Sequence, residues 1–178
     1  MVLEDSAGGL AREVLSRRAA SRHDPDVKRP GQASGDGRGM TIRDAADVEK
    51  WAHGRIAELE HEEAWVLAID RSHRLLRAQR AETGSVGLTH LDTARVVQLA
   101  SNPRGAGFIL VHNHPSDIPK PGKADIDATQ EVERLARERG LRMLDSVIVC
   151  RTTHSSLLEL GLMPGGPRRA PRRPHDDT

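Results

Sequence analysis

Two histidines one residue apart, His112 and His114, follow the apolar run 108–111 and precede Pro115. Side chains alternate across a strand, so both imidazoles project from one face and can chelate a single cation. Asn113 points the other way and suits backbone or loop hydrogen bonds. Pro115 has no N–H for a sheet ladder, so it ends the strand and leaves the histidines at its edge. Eleven residues beyond His114 comes Asp125, just inside a helix predicted over 124–139. Pro119, Pro121 and Gly122 lie between them and can fold the chain back. Two neutral nitrogens and one carboxylate form a ligand set suited to zinc, with a fourth position left for water. Such a water loses a proton near neutral pH. Each part also has a plainer reading. The histidines suit two partly buried rings satisfied by backbone or water, and Asp125 suits a first-turn carboxylate favoured by the helix dipole.

A water-activating site needs a group that accepts and delivers protons. Glu62 and Glu63 stand directly before the apolar run 64–69, where they suit that role or that of solvated charges at a strand entrance. His61 and His73 are expected at the surface. Cys150, the single cysteine, ends an apolar run and reads as a small core residue. One thiol excludes an intrachain disulfide and a Cys-rich zinc site. It also excludes a zinc deaminase, which needs a Cys-x-x-Cys element.

The elements that must position these residues alternate in type. Thr41 with Asp44 resembles a capping box opening a helix, and Ala45, Val48, Ala52, Ile56 and Leu59 follow at helical spacing. Residues 64–69 form a buried strand, and 74–78 pair with it across Arg71-Ser72-His73. Asp92 or Thr93 caps a short helix through Ala100, ended by Asn102-Pro103. Strands at 108–111 and 141–149 flank the 124–139 helix, where Val132, Leu135 and Ala136 share a face and Gly140 makes the stop. The class is therefore α/β, with a sheet covered on its faces. The folded part is expected over 41–163. Residues 1–40 and the Pro/Arg-rich stretch 164–178 read as disordered tails, with a short helix conceivable at 10–18.

Composition narrows the function classes. The 178 residues are 37% hydrophobic and 30% charged with net charge +1, which gives no whole-molecule attraction to nucleic acid. Trp51, Trp65 and Phe108 are the only aromatics, too few for a base-stacking platform. Arg168, Arg169, Arg172 and Arg173 suit a solvated tail better than a nucleic-acid contact. No apolar run of about 18 residues spans a membrane, and no signal-peptide stretch opens the chain. A cytoplasmic protein is expected.

Glu62, then His112-Asn-His114-Pro-Ser, then Pro121-Gly-Lys-Ala-Asp125, together resemble the JAMM metalloprotease motif of MPN (JAB) domains, and within that group the RadC family. Asp70, Gly84, Thr129 and Leu144-Asp145 extend the likeness over about 55–163. The resemblance implies a three-layer α/β/α sandwich with a mixed sheet, of the cytidine-deaminase-like type. It implies one zinc on His112, His114 and Asp125, with Glu62 rather than Glu63 as general acid/base because of its spacing to Asp70. It implies hydrolysis of peptide or isopeptide bonds, with a peptide or protein substrate and homo- or hetero-oligomeric partners. A metal-binding scaffold module linked to DNA metabolism is the alternative. Three positions depart from the pattern. Gly122 stands where the motif has an oxyanion-stabilising Ser, whose loss can cost about 10²–10³ in rate. Ser146 stands where RadC proteins usually have His. Residues 1–54 are too short and polar for the helix-hairpin-helix DNA-binding domain such proteins commonly carry.

Overall fold

The computed structural model describes residues 37–83 and 88–164. The helix expected at 10–18, Gly84 and the tail arginines lie outside the described residues. Five strands form one mixed sheet in the order β2-β1-β3-β4-β5: β1 (Glu63–Ile69), β2 (Leu75–Thr83), β3 (Gly107–Asn113), β4 (Met143–Val149) and β5 (His154–Ser156). Only β3 and β4 run parallel; the other neighbours are antiparallel. The parallel pair needs a crossover, and helix α3 (Lys123–Glu138) supplies it. Helices α1 (Ala45–Ala52) and α2 (Thr93–Ala100) complete the layers.

Alternation along the strands sorts the core into two halves. Ala64 and Val66 of β1, with Phe108 and Leu110 of β3, pack against Val96, Val97 and Ala100 of α2 and Val132 and Ala136 of α3. Leu67 and Ile69, with Ile109 and Val111, pack on the other face with Val48, Trp51 and Ala52 of α1. The result is an α/β/α sandwich, as the resemblance implies. Trp51 and Trp65 meet edge to face on the α1 side, with centroids 5.7 Å apart.

Several local expectations shift. Thr41 does not cap α1. It bridges to Arg74 in extended conformation, because Ile42 N–H donates to the His73 carbonyl and Leu75 N–H to that of Met40. The cap is Asp44, which accepts Asp47 N–H at 2.9 Å, while Asp47 accepts Arg43 N–H at 3.1 Å. The helix stops at Ala52, short of the periodic pattern, since Gly54 turns at φ 69°. Ile56 and Leu59 still reach the core through the turns that follow. The second hairpin strand is longer than 74–78, because β1 pairs with it from Ile69↔Leu75 to Glu63↔Thr83. Asp70 organises the turn, its Oδ1 accepting N–H from Ser72 and Arg74. Asp92 caps α2 and accepts Arg95 N–H at 3.0 Å. Gly140, at φ 68°, ends the long helix as expected. Strand β5, three residues long, carries too short a pattern to be read from sequence.

Candidate metal centre

His112 is the penultimate residue of β3. It lies opposite Ala64 of β1 and Ile148 of β4 and is fully buried. Its neighbours Phe108 and Leu110 on the same face are held by the α2–α3 core, so the ring is delivered to the sheet edge on that side. His114 lies just past the strand, where its N–H donates to the Val149 carbonyl at 3.0 Å. Its Nδ1 lies 2.8 Å from the Ile118 carbonyl. A carbonyl can only accept, so Nδ1 carries the proton, and in the neutral ring Nε2 keeps its lone pair for the site.

Asp125 comes from the first turn of α3 and is buried. The Gly122 N–H donates to its Oδ2 at 2.7 Å. His112 Nε2 is 3.1 Å from His114 Nε2 and 3.3 Å from Asp125 Oδ1, and His114 Nε2 is 3.6 Å from Asp125 Oδ2. One donor atom from each residue lies within 4.8 Å of the others, so the three together could hold a metal ion. The chemistry of the set fits one: two imidazole nitrogens converge on a carboxylate at the strand end. Among the described residues His112 Nδ1 is buried without a hydrogen-bond partner, while its Nε2 faces His114 and Asp125.

Without a cation the three groups bias one another. Burial alone would raise the Asp125 carboxyl; hydrogen bonds from His112 and His114, the His112 charge and the Gly122 N–H outweigh it. They hold Asp125 far below the ordinary carboxylate range. Burial opposes protonation of His114, but its contacts with Asp125 and the Ile118 carbonyl, then the charges of Asp125 and Glu62, raise its pKa.

The two candidate glutamates part company. Glu63 shares the β1 face of Trp65 and is 5% exposed. Its carboxylate is taken up by Trp65 Nε1 at 2.9 Å, Arg80 at 3.0 Å and His61 at 3.3 Å. Glu62 stands one residue before β1; it lines one cleft with His112, and its charge acts on His114. This small cleft beside His112 is lined by Glu62, Glu63, Ala64, Glu82, Leu88 and Leu91, the Glu63 carboxylate being engaged by Trp65, Arg80 and His61.

Other polar residues of the resemblance are structural. Asp145 is buried and accepts from Ser156 Oγ at 2.6 Å, Ser146 N–H at 2.7 Å and Leu158 N–H at 3.1 Å, tying β5 to β4. Ser146 accepts from Thr129 Oγ1 at 3.0 Å, joining β4 to α3 one turn beyond Asp125. Sequence reasoning missed the partners of Asn113, although alternation pointed its side chain away from the histidines. His61 is half-exposed at 44% of its side chain and His73 is exposed, both near expectation. Cys150 is buried.

A family model described as the RadC-like JAB domain matches residues 42–162, which includes every site residue above. The chain belongs to the RadC-like JAB domain family. Similar curated proteins bear the name UPF0758 protein. One from Flavobacterium johnsoniae is 31% identical over 107 residues, covering 60% of this chain and 47% of its own. One from Pseudomonas syringae pv. tomato is 29% identical over 126 residues, covering 71% and 56%. One from Porphyromonas gingivalis is 28% identical over 136 residues, covering 76% and 57%. The chain thus spans about half the length of these relatives. RadC-like membership agrees with the mixed sheet and with a triad that could bind metal. Among the described residues no helix is long and apolar enough to cross a membrane.

Proposed function

We propose that this RadC-like domain is a zinc-dependent hydrolase of the JAMM type, acting on a peptide or isopeptide bond. The observation that carries the reading is the convergence of His112, His114 and Asp125 at a strand end, with Glu62 lining a cleft beside His112. Zinc on these residues would polarise a carbonyl and lower the pKa of a coordinated water. The chain's own residues do the rest. The Ile118 carbonyl keeps the His114 Nε2 lone pair turned inward, and Gly122 N–H keeps the Asp125 carboxylate turned to the rings. Glu62 takes the proton of the attacking water and returns it to the leaving amine. Ala64, Leu88 and Leu91 form the apolar side of the cleft and limit bulk water there.

Metal analysis of purified protein tests the site. About one zinc per chain is expected, and His112→Ala with His114→Ala should remove it; zinc unaffected by the double change would overturn the reading. Glu62→Gln should keep the metal and lower turnover of a linear-fusion or isopeptide-linked substrate by about 10²–10⁴.

Gly122 favours a second reading, a domain that holds metal but serves as a binding or scaffold module. It supplies no hydroxyl where the motif has one. Metal retained with no turnover, in both the natural protein and Gly122→Ser, would favour that alternative.

A further inference from the structure

Between the two metal-facing histidines sits a buried amide whose partners lie at the start of β1 and just before it. Asn113 is fully buried and points to the α1 side of the sheet. Its Oδ1 accepts the backbone N–H of Glu63 at 2.7 Å, and its Nδ2 donates to the backbone carbonyl of His61 at 2.9 Å. The two peptide groups it holds are those that bracket Glu62. The side-chain amide thus continues the β1–β3 ladder past its last backbone pair, Ala64↔His112. The second anchor is Glu63 itself, whose carboxylate binds Trp65, Arg80 and His61 on that same side. A residue between two fixed peptide groups has little freedom to rotate about the chain, and Glu62 lines the cleft beside His112.

We propose that Asn113 is a positioning residue: it couples the strand that carries His112 and His114 to the backbone on either side of Glu62, and so sets the Glu62 carboxylate against the metal-facing rings. This rests on the reading of Glu62 as the proton carrier. The coupling has a chemical reason. A proton carrier works only within hydrogen-bond reach of the reacting water, and an error of about 1 Å can cost about 10²-fold. Glu62 lies outside β1, where strand ends fray; an amide from the ligand-bearing strand keeps the two registered through any such motion.

The test uses the full chain loaded with Co²⁺ and probed with acetohydroxamate, whose binding is followed in the visible spectrum. A hydroxamate on the metal would donate a further hydrogen bond to a carboxylate beside it, so Glu62→Gln should weaken its affinity by about tenfold. Asn113→Ala should still bind about one Co²⁺ per chain and should weaken acetohydroxamate to a similar degree. The double variant should be no weaker than either single one, because both act through one group. A purely structural role would lower the melting temperature of Asn113→Ala and leave hydroxamate affinity unchanged. That result, additive losses, or loss of Co²⁺ itself would overturn the proposal while leaving Glu62 in its role. Glu62→Gln without effect would sink the role of Glu62 and the proposal with it. If Asn113→Ala does not fold, Asn113→Ser carries the same comparison, since its shorter hydroxyl cannot reach both peptide groups. A metal-free measurement runs alongside: hydrogen exchange at the Glu63 amide should quicken by about tenfold or more in the variant while β3 and β4 are unchanged.

Discussion

At His114 a hydrogen bond to a main-chain carbonyl and contact with a buried carboxylate act on one imidazole, and the balance sets how the centre responds to pH. Its pKa in the folded chain is raised above 6.5 despite burial, through Asp125, Ile118 and Glu62. In metal-free protein this contribution to stability is complete below 6.5 and is lost as pH rises through the raised value. Asp125 has the opposite sign: its contribution is present above the unfolded value of 3.8 and is lost only on falling through its depressed one. A zinc ion competes with the His114 proton. Melting curves at pH 6 and pH 8 should therefore diverge. With chelator the protein should be less stable at pH 8, whereas the zinc-stabilised increment should be larger there. An increment that does not grow with pH would count against His114 as a ligand. Gly122 admits a direct substitution. Its backbone is extended, φ −82° and ψ 174°, and an added Cβ would lie 3.5 Å from Asp125 Oδ2, an ordinary contact. Gly122→Ser should fold with stability raised by roughly a few tenths of a kcal/mol, since Ser is the better N-cap. If the domain is catalytic, turnover should rise as well. A large loss of melting temperature would show that the hydroxyl disturbs Asp125.

At the scale of elements, the centre exists because a parallel pair needs a crossover. The chain leaves β3 at its carboxyl end, loops through 114–122, and enters α3 beside the strand it has just left. His112 and Asp125 are thereby brought face to face. The stiffness of that unit depends on how closely β3 and β4 approach. A Cβ on Gly107 would lie 2.6 Å from the Arg142 carbonyl and 2.8 Å from the Leu144 side chain. Gly107→Ala should therefore push the strands apart at the start of their pairing and cost about 1–3 kcal/mol in denaturant unfolding. A neutral result would mean the β3–β4 entry is more pliable than its packing implies. The Asp44–Asp47 cap shows how local spacing misleads. Thr41 and Asp44 have the right spacing for a box, but Thr41 is held in an extended bridge to Arg74, so the cap falls three residues later.

At the scale of the whole fold, the described residues form two core halves separated by the sheet, and groups buried there are reached by solvent only when it opens. Cys150 directly follows β4 and is fully buried, and burial, with the charges of Asp117 and Glu49, pushes its thiol up to about 11. At neutral pH it should react with a thiol reagent only through opening of the fold, at a rate that rises with denaturant as the unfolding equilibrium does. Rapid labelling of native protein would contradict the placement of β4. Asp145 gives a second global readout. Burial raises its carboxyl even though Ser156, Leu158 and Ser146 donate to it. The native state therefore holds its proton more tightly than the unfolded chain, so its contribution to stability grows as pH falls toward 3.8. Asp145→Asn should flatten that part of the pH–stability curve.

Much of the site was legible in one dimension because its signals are local. Alternation put His112 and His114 on one face and Asn113 on the other, Pro115 ended the strand, and Gly140 stopped the helix. Each rests on backbone geometry that few tertiary contacts can override. The candidate metal-ligand set and the α/β class followed from such spacing, and the family resemblance from the motifs around it. What waited for the tertiary structure was everything set by pairing across distance in sequence. Glu62 and Glu63 are adjacent, and only the tertiary structure shows that Glu63 is taken up by Trp65 and Arg80. Asn113 finds its partners 50 and 52 residues away, and no local pattern encodes that. The early end of α1 and the length of β2 belong to the same class, since a glycine turn and a ladder partner outweighed periodicity. Residue types determined what could bind at His112, His114 and Asp125; the crossover through α3 decided that the three would converge, because it returns the chain to the end of the strand it has just left.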